Sequence, residues 1–128
     1  AIAKGIREAD PEVAVSVLNL AKNDKNDVAV DVFRAKAVLV GSPSHNKCML
    51  SSVAALLEEL RGFAYKGKKA AAFGCYGWSG EAQERLSDIL TEIGFDVVDG
   101  GIKNLWEPDA AAVAKCVEYG KAFAGKVK

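Results

Sequence analysis

Two short stretches bring together residue types suited to a flat ligand. The first, GCYGWSGEA at 74–82, sets Gly74, Gly77 and Gly80 around Tyr76 and Trp78. Glycines let backbone amides and carbonyls approach a bound molecule closely, and the two rings offer π faces. The second, GSPSHNKCML at 41–50, shapes a turn with Gly41 and Pro43 and adds short polar groups at Ser42, Ser44 and Asn46. Each has a plainer reading alone: two aromatics packed on their own helix, and a turn running into a helix cap. Together they describe a slot lined by ring faces and backbone hydrogen-bonding groups, able to hold a planar aromatic ligand by its π surface and its edge. Bulky rings at a glycine-rich turn are then covered by a ligand rather than by the core.

The elements that position these loops follow from apolar periodicity. AVLVG at 37–41 and AAAFG at 70–74 are unbroken apolar runs, as in parallel strands covered on both faces. EVAVSVLNL at 12–20 alternates Val13, Val15 and Val17 and predicts another strand, and FDVVDGG at 95–101 predicts a fourth. Leu50, Val53, Ala54, Leu57 and Leu60 have helical spacing, closed by Arg61 and Gly62. Ala82, Leu86, Ile89, Leu90 and Ile93 repeat it, with Gly94 as the stop, and Val113, Cys116, Val117 and Phe123 do so after Pro108 and Asp109. A weaker helix is expected over 27–35, led by Asp24 or Asn26, and a first one over 1–9 with Ile2 and Ile6 on one side.

Strands alternating with helices predict an α/β fold: a doubly wound parallel sheet of order 2-1-3-4-5, in one domain over 1–128. In such sheets ligands bind beyond the carboxyl ends of the strands, where both loops fall. In that order a strand should precede the helix at 1–9 and lie between the strands at 12–20 and 37–41. Without it the sheet would have a gap of about 10 Å, two strand spacings. The expectation is a chain truncated at its amino end, or another element in that slot.

Composition narrows the function classes. Seventeen Lys and Arg balance seventeen Asp and Glu, so the chain lacks the basic footprint of a nucleic-acid binder or of polybasic membrane adsorption. Apolar runs are short and the opening AIAKGIREAD has no leader pattern, which points to a cytoplasmic setting. Cys48, Cys75 and Cys116 are odd in number and widely spaced, as reduced thiols are, and Cys75 reads as a packing thiol with no basic sequence neighbour. His45 is the sole histidine, which leaves no multi-histidine metal site. Lys66, Lys68 and Lys69 read as a solvated turn, and Asp24, Asp27 and Asp31 as charge at a helix start. A phosphoacceptor receiver domain of the same strand order would need an aspartate where this chain reads Val40-Gly41-Ser42, so Lys103 remains a loop lysine.

GSPSHNKCML, SSVAALLEELRG, KKAAAFGCYGWSGEA and GFDVVDGGIKNLWEPD together resemble the flavodoxin-like domain of flavodiiron proteins, the A-type flavoproteins, over nearly the whole chain. YGWSGEA is the most specific piece, supported by the SPxxN pattern before it. The resemblance implies noncovalent FMN held between Ser42, Pro43, Ser44, His45 and Asn46 on one loop and Cys75, Tyr76, Gly77, Trp78, Ser79 and Gly80 on the other. Ser44 stands where the family commonly has threonine, and Cys75 where it commonly has serine. The family's first strand and its serine/threonine-rich phosphate loop have no counterpart here, so weak or no flavin binding is expected of the chain itself. The implied function is electron transfer from a reduced donor, such as a rubredoxin-type protein or a reduced deazaflavin, to a di-iron centre that reduces oxygen or nitric oxide. That centre belongs to a separate metallo-β-lactamase-like domain of a homo-oligomeric parent, and no residue of this chain is implied as a catalyst or a metal ligand. The alternative is a non-catalytic interaction domain with an incomplete flavin site.

Overall fold

The computed structural model describes residues 1–128. Elements run in the order α1 (Ile2–Ala9), α2 (Lys25–Arg34), β1 (Ala37–Pro43), α3 (Ser51–Arg61), β2 (Lys69–Tyr76), α4 (Glu81–Ile93), β3 (Asp96–Val97), β4 (Ile102–Leu105) and α5 (Ala110–Val127). Two compact units result, one of Ala1–Val17 with Glu107–Lys128 and one of Leu18–Trp106.

In the second unit β2 is central and every pairing is parallel. β1 lies along one edge of β2, with Ala37 opposite Lys69 and Pro43 opposite Cys75. The other edge is shared by β3, with Val97 opposite Ala70, and β4, with Phe73 opposite Ile102. β3 and β4 are thus two pieces of one sheet position, broken at 98–101. The expected strand over 95–101 therefore ends early and resumes later, because Gly100 and Gly101 interrupt it. Gly101 has φ +77, and a Cβ there would lie 2.2 Å from the Ala72 carbonyl, so the chain passes along β2 at a distance only glycine fits. Gln83, buried on α4, donates its amide to the Gly100 carbonyl and holds the break in place.

Alternation along the strands sends Val38, Ala70 and Ala72 into one core with Leu57 and Leu60 of α3 and Leu86 and Leu90 of α4. The alanines are fully buried, and their small side chains let the helices approach the sheet closely. Gly62 and Gly94 end α3 and α4 as the sequence predicts, Gly94 in the left-handed conformation. Asp24 caps α2 by accepting the Asn26 amide at 2.8 Å.

Three lysines read as a solvated turn divide differently. Lys68 donates to the Val32 and Phe33 carbonyls at the end of α2, at 2.6 and 2.8 Å, and lies 4.7 Å from the Tyr65 ring centroid. Lys69 pairs with Asp96 across the β2–β3 register. Lys66 alone among them keeps the solvated-turn reading. The corrections have a common cause: their partners are distant in sequence.

The strand expected over 12–20 does not form. No residue of 12–19 joins a strand, Val17 is 72% exposed, and the Val15 carbonyl accepts from the Arg7 guanidinium at 2.8 Å. Alternating valines supply strand propensity, yet a strand exists only where a neighbour takes up its backbone groups, and none does.

In the first unit α1 packs on α5 through reciprocal small residues. A Cβ on Gly5 would fall 1.9 Å from the Val117 carbonyl, and one on Gly120 would fall 2.1 Å from the Ile2 carbonyl. Lys121 bridges Glu8 at 3.2 Å and Glu118 at 2.8 Å beside this contact.

Candidate functional site

Register brings the carboxyl ends of β1, β2 and β4 abreast, with Pro43 beside Cys75 and Cys75 beside Asn104. The loops 43–50 and 76–80 therefore leave the sheet side by side, next to Leu105 and Trp106.

The first loop is stitched to itself and then to its neighbour. Ser42 is 3% exposed; its hydroxyl accepts the Leu50 amide at 2.9 Å and donates to the Pro43 carbonyl at 2.8 Å. This buried hydroxyl closes the loop internally. His45 and Cys48 exchange both backbone hydrogen bonds, at 2.8 and 2.9 Å, around Asn46 and Lys47, which have φ of 49 and 60. Two successive positive φ values across a two-residue connection make a tight hairpin of the type I′ kind, which asparagine tolerates well. The hairpin lifts His45, Asn46 and Lys47 into solvent, and Pro43 is exposed beside them.

Ser44 joins the two loops. Its amide donates to the Cys75 carbonyl at 2.8 Å, and its hydroxyl accepts the Ala82 amide at 3.1 Å. Gly80 stands at the N-cap of helix α4, with φ +74 and no side chain to cap the first turn, so Ser44 supplies that acceptor from the neighbouring loop.

Tyr76 and Trp78 are held differently. The Tyr76 ring lies over Gly80, close enough that a Cβ there would sit 2.9 Å from Cγ, and Lys103 Nζ lies 5.7 Å from the ring centroid. Trp78 is 94% exposed, with its ring outside the core. Ser79 donates to Glu81 at 2.6 Å. That bond, followed by Glu81's own backbone amide and the charges of Lys47 and Arg85, holds the Glu81 carboxyl below its ordinary value.

Two expectations need correction here. Lys103 lies within β4 rather than in a loop; it pairs with Glu84 at 3.0 Å and donates to the Gly80 carbonyl at 3.3 Å, because the sheet resumes at Ile102. Cys75 is exposed rather than packed, since its position near the end of β2 lies beyond the helix-covered core. Cys48 is exposed too, with the Arg85 guanidinium 3.2 Å from its sulfur.

Trp106 is a site residue that spacing gave no means to assign. Its amide donates to the Tyr76 carbonyl at 2.8 Å, and its ring covers Gly77. The available signal was an aromatic immediately beyond a strand end on the loop-bearing edge. No three or more His, Cys, Asp or Glu residues are grouped to hold a metal ion, and no helix is long and apolar enough to cross a membrane.

A family model described as flavodoxin matches residues 1–120, a span that runs through both units. The chain belongs to the flavodoxin family. A solved archaeal flavodoxin is 31% identical, with 98% of this chain and 85% of that chain covered at a TM-score of 0.85. The flavodiiron protein of Giardia intestinalis is 28% identical and superposes at a TM-score of 0.91, covering 98% of this chain and 31% of that one. Among curated relatives, the anaerobic nitric oxide reductase flavorubredoxin of Vibrio vulnificus is 47% identical over 124 residues, 97% of this chain and 25% of that protein. This flavodoxin-family chain thus spans about a quarter of the length of the curated relatives it matches. It is flavodoxin-like in fold, with helices against a parallel sheet, and akin to the corresponding part of flavodiiron and flavorubredoxin proteins.

Proposed function

We propose that the chain is the FMN-binding, electron-transfer part of a flavodiiron-type oxidoreductase. The observation that carries this is Trp78, a large ring left 94% exposed at a carboxyl-edge loop that Ser44 ties to its neighbour. An indole that contributes almost nothing to the core has a physical use if a planar molecule covers it.

The residues present fit a flavin. Gly77 and Gly80 leave room for the Trp106 and Tyr76 rings that pack on the second loop and shape its wall. Trp78 offers a ring face, while Tyr76, braced by Gly80 and Lys103, forms a fixed wall. On the other loop Pro43, Ser44 and the exposed His45–Cys48 hairpin present small groups and free backbone at the rim. We assign contacts to Pro43, Ser44, His45 and Asn46 on this side, and to Cys75, Tyr76, Gly77, Trp78, Ser79 and Gly80 on the other. Ser42 serves by shaping the first loop. Bound FMN would accept and pass on electrons one or two at a time. The chain's own part is to orient the ring, exclude water from one face and set the hydrogen bonds at its edge.

The donor would be a reduced rubredoxin-type protein or deazaflavin, and the acceptor a di-iron centre on another domain of a homo-oligomeric, cytoplasmic parent. Support comes from relatives named for nitric oxide reduction and from a rubredoxin oxygen:oxidoreductase of Desulfovibrio gigas, 29% identical at a TM-score of 0.88. Titration of the chain with FMN and with riboflavin, which lacks the phosphate, tests the ring contacts themselves. Flavin fluorescence should be quenched by the wild type in both cases and far less by W78A. No quenching by the wild type with either flavin would refute the assignment.

A further inference from the structure

Trp106 is held in a conformation that neither its own burial nor its own backbone preference accounts for. It has φ +54, which a bulky side chain rarely adopts, yet the residue is 69% exposed. Three contacts impose the conformation. The Trp106 amide donates to the Tyr76 carbonyl at 2.8 Å. The Asn104 side-chain amide donates to the Leu105 and Trp106 carbonyls, both at 3.1 Å. The six-membered edge of the indole lies against Gly77, where a Cβ would stand 2.6, 2.7 and 3.0 Å from Cη2, Cζ2 and Cζ3. A strained, exposed aromatic fixed by neighbours points to a role for the ring's position rather than for its burial.

Both principal contacts end on the turn between Tyr76 and Trp78. We infer that Trp106 is a positioning residue: the turn after β4 presses its indole onto Gly77 and so fixes the peptide from which Tyr76 and Trp78 face a flavin. This rests on the FMN reading above and adds a residue to it from a third strand end. The ring sits on the α carbon of Gly77, where any larger residue would push it away. Trp106 therefore acts through Gly77 and does not itself hold the ligand.

The test begins with the ligand-free chain. Stacked indole should shift the Gly77 amide and α-proton resonances upfield; W106A should return them toward ordinary values, and W106F should keep most of the shift. W106G, which accommodates positive φ without strain, provides a second ring deletion should W106A fold poorly. For FMN, both deletions should raise Kd roughly tenfold, with W106F closer to the wild type. G77A should weaken binding in the wild-type background and do so much less in W106A, because the ring that the new methyl would strike is gone. Unshifted Gly77 resonances in the wild type, an FMN Kd in W106A and W106G within about twofold of the wild type, or strict additivity of G77A and W106A would each overturn the inference. A wild-type chain that binds no flavin refutes the proposed function instead, and the Gly77 resonances then decide the bracing contact alone.

Discussion

Ser44 Oγ accepts the backbone amide of Ala82 across 3.1 Å, so a hydroxyl on the loop after β1 caps the helix that follows β2. Glycine at the start of α4 leaves that helix no acceptor of its own. The two walls of the proposed flavin slot are thereby joined by a bond that also completes a helix. Site geometry and helix stability depend on the same atom.

Ser44→Ala should therefore lower stability by about 1 kcal/mol, as the loss of a helix cap does, and widen the slot enough to weaken FMN. Ser44→Thr keeps the hydroxyl and should match the wild type in both. Urea unfolding and flavin titration of the two variants check this. Equal stability in all three proteins would remove the cap from the account.

Trp78 should behave in the opposite way, since its ring stands outside the core. W78A should change unfolding free energy by no more than about 0.5 kcal/mol, while flavin quenching falls several-fold. A large loss of stability would mean that the indole is packed in solution.

Ser79 donates to Glu81 and is the largest influence lowering that carboxyl's pKa. A carboxyl whose folded value is depressed contributes stability that is complete above its unfolded value and is lost as pH falls through the folded one. NMR titration of Glu81 should show a midpoint below that of an ordinary glutamate, and Ser79→Ala should move it upward. The same substitution should flatten the acid limb of stability against pH.

The Tyr65 hydroxyl is buried without a hydrogen-bond partner, stacked against Phe95 at a centroid distance of 4.8 Å. Burial raises its pKa, so the folded state keeps the proton more tightly than the unfolded chain does. Stability is complete below the ordinary phenol value and declines as pH rises through the folded one. Y65F keeps the stack and removes the unpaired hydroxyl, and it should gain about 1 kcal/mol at neutral pH and lose the alkaline decline. Urea melts at neutral and alkaline pH measure both effects.

What the sequence discloses, and what it hides, divides along local and distant interactions. Leu57, Leu60, Leu86 and Leu90 announce α3 and α4 by spacing, and Gly94 announces a stop, because both are properties of neighbouring residues. AVLV and AAAF announce β1 and β2 by their unbroken apolar runs, again a property of neighbouring residues. The valines at 13, 15 and 17 carry the same local signal and form no strand, since partnership is decided elsewhere. At the site, Trp78 and the glycines beside it were visible from composition. The tie from Ser44 to Ala82 and the contact of Trp106 with Gly77 were not, because each links residues far apart in the chain.

The clasp of Gly5 on Val117 and Gly120 on Ile2 has a bearing on synthesis as well as on packing. During synthesis the helix at 2–9 is made before α5 and stays without that partner until every intervening strand and helix has been made. A chaperone or nascent-chain partner has that whole interval to engage it, so translation speed through the later segments should influence how much of the product matures.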